Sequence, residues 1–365
     1  MAENLPSQFS AGPGREHERR PRYRGKNPRR FEEKYKERDP ARYAETIAKV
    51  LAAGKTPAGA HRPIMVTEML SVLRPQPGEL AVDCTLGYGG HAEMLLAKLQ
   101  PGGHLLGLDV DSVELSKTKT RLRALGFAPE TFSAQRSNFA GLPRALSLSS
   151  VAAVYDRQSP SDPSQADIIL ADLGVSSMQL DNPERGFSFK IDGPLDMRMN
   201  PQRGLPAASL LAKLSRDDLS ALLSENSDEP HAIVLANALA GETYASTLAF
   251  AAAIRAALSW AREEERELSV RRVFQALRIA VNDEFGALEA FLRVLPDCLN
   301  PGGRVAILTF HSGEDRRVKK AFQAGLRAGV YGAIADDVIR PTATERHGNP
   351  RSASAKLRWA QRGPL

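Results

Sequence analysis

The sequence predicts an α/β protein: a doubly wound, Rossmann-like parallel sheet carrying an inserted helical subdomain. Three observations predict it. Short apolar runs recur from residue 61 onward, each followed by a helical stretch. A glycine-rich loop, Gly87-Tyr88-Gly89-Gly90, stands between the first run and the first helix. About 130 residues with helical patterning separate the fourth run from the fifth, far too many for one crossover.

Leu80 to Thr85 reads as the first buried strand, and His91 to Leu99 as the helix after the glycine loop, with Met94, Leu95 and Leu99 on one side. Pro101-Gly102-Gly103 turns the chain into a second strand, Leu105 to Val110, which carries Asp109 near its end. A helix follows to Arg123, with Gly126 as its stop, and a third strand spans Thr131 to Gln135. Residues 146–165 read as a surface loop, and Asp167 to Asp172 as the fourth strand. Helices are expected over 209–224, 231–240, 246–265 and 270–295, with Ser215 and Asp218 as a capping box. The last places Phe274, Leu277, Val281, Phe285, Leu288, Leu292 and Leu295 at spacings of 3 and 4, a core stripe rather than a cofactor motif. The turn recurs as Asn300-Pro301-Gly302-Gly303 before a fifth strand, Arg304 to Phe310. The expected organisation is therefore a basic, flexible arm over 1–60, an α/β domain over 61–182 and 269–365, and an inserted helical subdomain over 183–268.

Composition narrows the function. The chain has 365 residues, 42% of them hydrophobic, and no window approaches the ~18 uncharged apolar residues of a membrane span. The first thirty residues hold no apolar core of a secretory signal, and two cysteines, Cys84 and Cys298, build neither a disulfide framework nor a zinc site. A reducing cytoplasm is the expected home. Residues 1–60 hold 14 Lys/Arg against 8 acids, which accounts for the whole net charge of +6. With Phe31, Tyr35 and Tyr43 interleaved, this arm reads as an electrostatic handle on nucleic acid, the alternative being a solvated tail.

The chemistry concentrates at strand ends. Glycines admit a ligand where a Cβ would collide, and the helix start offers free N–H groups. Asp109 at the end of the second strand suits the two hydroxyls of a ribose. Gly87-x-Gly89-x-x-Ala92 also satisfies a permissive dinucleotide fingerprint, so an NAD-dependent oxidoreductase stands as an alternative. Asp83 tips the balance toward a cationic ligand, since an anion there repels a pyrophosphate but attracts an ammonium or sulfonium. A second acidic loop, Asp172-Leu173-Gly174-Val175-Ser176-Ser177, closes the fourth strand.

Several longer motifs carry a resemblance. His61-Arg62-Pro63-Ile64-Met65, Gly87 to His91, Asp172 to Asp181, Glu184-Arg185-Gly186-Phe187-Ser188-Phe189, Gly193 to Met199, Phe274 to Ile279, Phe310-His311-Ser312 and Asn349 to Arg358 occur in this order. Together they resemble the small-subunit ribosomal RNA cytosine-N4 methyltransferases, the MraW family, over residues 61–362. The resemblance implies a class I methyltransferase using S-adenosylmethionine on a cytidine in the decoding region of small-subunit rRNA, free or within the 30S subunit. It implies cofactor contacts at Gly89, Gly90, His91, Asp109, Phe139, Asp172 and Gln179. For the chemistry the candidates are Asp172 as acceptor of an N4 proton, with Ser176 beside it and His311 orienting substrate; no metal is expected. Phe187, Phe189 and Phe310 are candidates to stack on the base, and Arg185, Arg198, Arg278, Arg351, Lys356 and Arg358 to meet RNA. A non-catalytic rRNA-binding assembly factor is the other alternative, and oligomeric state is open. Two positions depart from the family pattern: Gly313, where the family has Leu, and Ser227-Asp228-Glu229-Pro230, where it has Gly-Glu-Glu followed by basic residues.

Overall fold

The computed structural model describes residues 63–148 and 164–364. The arm over 1–60, His61-Arg62 and most of the 146–165 loop lie outside the described residues; 146–148 finish a helix. In chain order the regular elements are α1 (Val66–Leu73), β1 (Leu80–Asp83), α2 (Gly90–Leu99), β2 (His104–Asp109), α3 (Ser112–Ala124), β3 (Phe132–Arg136), α4 (Leu142–Leu148), β4 (Ala166–Asp172) and α5 (Ser177–Asp181). Then come α6 (Ala207–Leu211), α7 (Arg216–Ser227), α8 (Ala232–Leu239), α9 (Thr247–Ala257), α10 (Glu263–Asn282), α11 (Glu284–Val294), β5 (Leu299–Thr309), α12 (Ser312–Arg327), β6 (Tyr331–Ile334), α13 (Ala343–Gly348) and β7 (Lys356–Arg362). None of the described helices is long and apolar enough to cross a membrane.

The seven strands form one sheet in the order β3-β2-β1-β4-β5-β7-β6. The first five pair in parallel, and β7 runs antiparallel to both β5 and β6. Side chains of a strand alternate between faces, and the cores follow that period. Leu80, Val82, Ile169, Ala171, Val305 and Ile307 join one cluster, with Leu288, Phe291 and Leu292 of α11 and Phe322 of α12. Ala81, Ile168, Leu170, Ala306 and Leu308 join the opposite cluster, with Met69 of α1, Leu95 of α2 and Leu122 of α3. Helices therefore cover both faces, which is the doubly wound architecture expected.

Helix boundaries moved where caps decide them. The stretch 209–224 divides into α6 and α7 because Ser215 caps α7, its hydroxyl accepting Asp218 N–H at 3.1 Å. The stretch 246–265 ends early at Ala257, and a new helix starts at Glu263. The expected single helix over 270–295 is two helices, broken at Asp283, which takes a left-handed conformation (φ 49°). Val270, Val273, Phe274 and Leu277 of α10 belong to a third core with Phe187, Leu211, Leu223 and Phe250. The helical layer therefore runs through residue 268 to Asn282, and α11 alone returns to the sheet.

Gly313 lies where α11 meets α12. A Cβ there would stand 2.5 Å from Phe285 Cζ, while the Arg317 guanidinium lies 3.6 Å from the Phe285 ring centroid. The phenyl ring occupies the volume a leucine at 313 would need. Gly313→Leu should destabilise by about 1–3 kcal/mol in urea unfolding. Combined with Phe285→Ala, the loss should fall short of the sum of the single losses by about 1 kcal/mol or more; strict additivity would show that the two positions do not share space.

Candidate active site

The carboxyl ends of β1, β2 and β4 bring Asp83, Asp109 and Asp172 together around the glycine loop. This is the edge at which an open parallel sheet offers a crevice. The loop is stapled to the sheet: Cys84 N–H donates to Leu170 O, and Leu86 N–H donates to Leu108 O, both at 2.8 Å. Arg121 of α3 donates Nε and Nη2 to Tyr88 O (3.1 and 2.8 Å) and Nη1 to Glu93 (2.8 Å). Gly89 caps α2 with φ 81°, and a Cβ on it would stand 2.8 Å from Thr118 Cγ2. That position needs glycine both for its dihedral and for its neighbour.

Two of the three aspartates receive backbone N–H groups, and none receives a lysine or arginine among the described residues. Asp109 accepts Gly87 N–H at 2.7 Å and Asp111 N–H at 2.8 Å; Asp83 accepts Thr85 N–H at 3.1 Å. Burial pushes Asp109 up to about 6, against those hydrogen bonds. Burial likewise pushes Asp83 up, with Asp172 and Asp109 adding repulsion and His91 opposing. Asp172 receives neither kind of donor on its carboxyl. Its N–H donates to Thr85 Oγ1 at 2.6 Å, its Oδ1 is buried without a hydrogen-bond partner, and its Oδ2 lies 3.5 Å from His91 Nδ1. Burial, helped by the negative charge of Glu314, pushes Asp172 up to about 7. His91, whose Nε2 lies 2.9 Å from Ile64 O, is held below its ordinary value by burial.

Two further networks frame this centre. Asp111 caps α3, accepting Val113 and Glu114 N–H, and pairs with Arg185 Nη1 at 2.8 Å. Arg185 Nη2 also donates to the carbonyls of Arg198 and Met199, so it ties the start of the helical insert to the loop after β2. Gln179 bridges the same point, donating to Asp111 (3.4 Å) and accepting Ser176 N–H (3.0 Å). On the other side, Arg278 makes a two-point pair with Glu284 at 2.8 Å. Glu314 accepts Phe310 N–H at 2.8 Å, and its Oε1 lies 3.1 Å from His311 Nε2, off the line of a hydrogen bond. Glu284, His311 and Glu314 place one ligand atom each within 4.8 Å of one another, but Arg278 already supplies the positive charge there.

The structure thus gathers Gly89, Gly90, His91, Asp109 and Asp172 at one place. Phe139 sits on the turn after β3, edge-on to Phe291 with centroids 5.5 Å apart. Ser176 is engaged in a turn, its hydroxyl accepting Gln179 N–H at 3.2 Å. His311 caps α12, with Nδ1 accepting Glu314 N–H at 3.4 Å. Several expected RNA contacts are instead internal ion pairs: Arg185–Asp111, Arg198–Asp196, Arg278–Glu284, Arg351–Asp181, and Lys356 and Arg358 with Asp315. Phe187 is buried in the insert core and Phe189 packs edge-on to Phe274, which leaves half-buried Phe310, beside Gly174, as the stacking candidate. Sequence reasoning missed Asp111 and Thr85. Asp-Ser-Val-Glu is a helix-start signature that marks the first, whereas only the tertiary contact to Asp172 N–H reveals the second.

Comparison with known proteins adds the following. The profile of the MraW methylase family matches residues 58–363. The chain is 47% identical over 353 residues to the ribosomal RNA small subunit methyltransferase H 1 of Lachnoclostridium phytofermentans, covering 94% of this chain and 93% of that protein. It is 47% identical over 352 residues to the methyltransferase H 2 of Alkaliphilus metalliredigens (94% and 97%), and 39% identical over 333 residues to the methyltransferase H of Halorhodospira halophila (84% and 95%). An alignment spanning 94% of the chain includes part of residues 1–60.

The Asp111–Arg185 pair makes a prediction with a definite sign. Burial pulls Asp111 up, but the Arg185 hydrogen bond and charge outweigh it and hold the carboxyl below its ordinary value. A depressed carboxyl adds stability above its unfolded pKa of ~3.9 and loses it as the pH falls through the folded value. Arg185→Gln should therefore cost about 3 kcal/mol in urea unfolding at pH 7, and the gap from the parent should close in acid. A gap independent of pH would assign the loss to packing alone.

Proposed function

We propose that this chain, which belongs to the MraW methylase family, methylates the N4 amine of a cytidine in the decoding region of small-subunit ribosomal RNA, with S-adenosylmethionine as donor. The observation that carries the reading is the cluster of three aspartates, none paired with a lysine or arginine among the described residues, around a loop whose glycines a Cβ would obstruct. Such a rim complements a cationic, ribose-bearing ligand and repels the pyrophosphate that an oxidoreductase would bind. The family is one of methylases, and the non-catalytic reading leaves the unpaired acids without a purpose.

When bound, S-adenosylmethionine supplies a methyl group activated on a sulfonium. The remaining work falls to the protein. We assign Asp109 to the ribose hydroxyls, since each of its oxygens keeps a lone pair beyond the backbone N–H it already accepts. Phe139 packs on the adenine, and Gly89, Gly90, His91 and Gln179 complete the cradle. The cytosine N4 lone pair is delocalised into the ring and must be oriented and made available. Asp172 does both by accepting an N4 proton through its exposed side, and alignment near ~3–3.5 Å supplies much of the acceleration. Ser176 holds the loop that carries Asp172, His311 orients the base from the end of β5, and Phe310 stacks on it. The proposed substrate is free rRNA or the 30S subunit, and the proposed site of action is the cytoplasm.

Methyl incorporation into small-subunit rRNA, read by nucleoside mass spectrometry as N4-methylcytidine, tests the reaction. Asp109→Ala should weaken cofactor binding by about 2–4 kcal/mol, because hydrogen bonds to a charged acceptor are lost. Asp172→Asn should lower turnover about a hundredfold or more. Wild-type affinity in the first variant, or wild-type turnover in the second, would overturn the corresponding assignment.

The arm has its own test. Deleting residues 1–60 removes the +6 charge, and the remainder should still bind S-adenosylmethionine. If the arm follows RNA, its loss weakens binding to an rRNA fragment and lowers the slope of log affinity against log salt by about 0.7–0.9 per phosphate contact. Superimposable salt plots for full-length and shortened protein would make it a solvated tail.

A further inference from the structure

Asp172 and His91 meet as two acceptors. His91 Nε2 lies 2.9 Å from the Ile64 carbonyl, which can only accept, so the ring proton sits on Nε2. Nδ1 of the neutral ring then presents a lone pair, 3.5 Å from Asp172 Oδ2. An ionised carboxylate also presents only lone pairs. Two such groups repel at this distance unless a proton lies between them.

The surroundings make that proton hard to lose. Asp83 at the end of β1 raises His91 and is itself raised by Asp172, Glu314 of α12 acts on Asp172, Glu345 of α13 acts on His91, and Asp109 at the end of β2 acts on Asp83; all are carboxyls. Arg278 acts on Glu314 but is bound to Glu284, and His311 caps α12 through Nδ1 and faces Glu314, not Asp172, through Nε2. Among the described residues no lysine or arginine pairs with Asp172 or His91. Asp172 Oδ1 is buried without a hydrogen-bond partner, so nothing on that side offsets a second negative charge. The elevation of Asp172 to about 7 by burial and by Glu314 agrees with this geometry.

We propose that the Asp172–His91 pair holds one proton when no cofactor is bound, and that it discriminates the sulfonium cofactor from its neutral thioether product by exchanging that proton for the sulfonium charge. The inference rests on the methyltransferase reading above. A sulfonium is a fixed positive charge with no proton to give; beside Asp172 it stabilises the carboxylate and expels the proton to solvent. In the transfer the carbon–sulfur bond breaks with its electron pair going to sulfur, the N4–carbon bond forms from the amine lone pair, and N4 sheds one proton. The Asp172–His91 pair takes that proton. The site returns to its initial protonation with a neutral sulfur beside it, and the charge that held the cofactor is gone. The ammonium and carboxylate of the amino-acid moiety are common to both ligands and cancel in the comparison.

Titration calorimetry of the full chain near pH 7, in buffers of different ionisation enthalpy, counts the protons exchanged. S-adenosylmethionine should release about 0.5–1 proton per molecule bound and S-adenosylhomocysteine close to none. Raising the pH from 6 to 8 should strengthen the first ligand relative to the second, by up to ~10-fold per unit below the titration of the pair. In Asp172→Asn, with folding checked by circular dichroism, the release should vanish and the preference should no longer change with pH. Equal proton counts for the two ligands in the parent protein, or a release that persists in Asp172→Asn, overturns the inference. Proton-silent binding of S-adenosylmethionine overturns it while leaving the methyltransferase reading intact. Failure of the parent to bind S-adenosylmethionine at all overturns both.

Discussion

Three carboxyls, Asp83 buried and Asp109 and Asp172 half-buried, gather at one edge of the sheet with no lysine or arginine paired to them among the described residues, and much of the structure is arranged to make that tolerable. Burying an isolated carboxylate is costly, and proteins ordinarily answer with a guanidinium. This one does so at Asp111, Glu284 and Asp315, which have Arg185, Arg278 and Arg358. Asp83, Asp109 and Asp172 are treated differently. The first two are given backbone N–H groups, Asp83 that of Thr85 and Asp109 those of Gly87 and Asp111, and Asp172 has a histidine lone pair for a neighbour. The glycine loop is thus a structural necessity as well as an opening: Gly87, at positive φ, turns its N–H onto Asp109.

The helical insert joins this centre through contacts of unequal worth. Asp228 meets Ser312 and Arg316 of α12, but that pair is about half exposed and contributes at most ~1 kcal/mol. The Asp111–Arg185 pair is buried, caps α3 at the same time, and shares its carboxylate with Gln179. It is the stronger anchor, and it fastens the start of the insert next to Asp109. Ser227 to Pro230, where the family pattern is absent, builds a corner instead: Asp228 ends α7 in a left-handed conformation, and buried Glu229 accepts the Ser269 hydroxyl.

Much of this was legible in the sequence, because buried parallel strands are short apolar runs and the glycine loop needs a rare backbone. Ile168 to Ala171 and Val305 to Leu308 stood out for that reason, and Ser215 announced a helix start by its own chemistry. The breaks that escaped have no such residue. Asp283 divides α10 from α11 without glycine or proline, and the helical stripe of Phe274 to Leu295 runs through it because the two segments feed different cores. β6 and β7 were not anticipated, since Arg358 and Lys356 interrupt an apolar run and become buriable only through Asp315. In the site, Asp109 and the glycines were readable from spacing. The contact of Asp172 with His91 was not, because it joins the end of β4 to the start of α2 across the sheet edge.

The insertion between β4 and β5 has a consequence for how the chain reaches this structure. Asp172 and Leu308 are partners in adjacent strands, yet the whole helical layer lies between them in sequence. The loop that must close before the sheet gains its β4–β5 ladder is therefore long, and pairings of such separation are slow to form. The helices of the insert, with their own core, depend mainly on nearby contacts and are under no such delay. Until the ladder closes, β4 presents an apolar strand with one unpaired edge, the kind of surface that draws in other chains. The segment that carries Asp172 is for that interval the point of greatest exposure to misassembly.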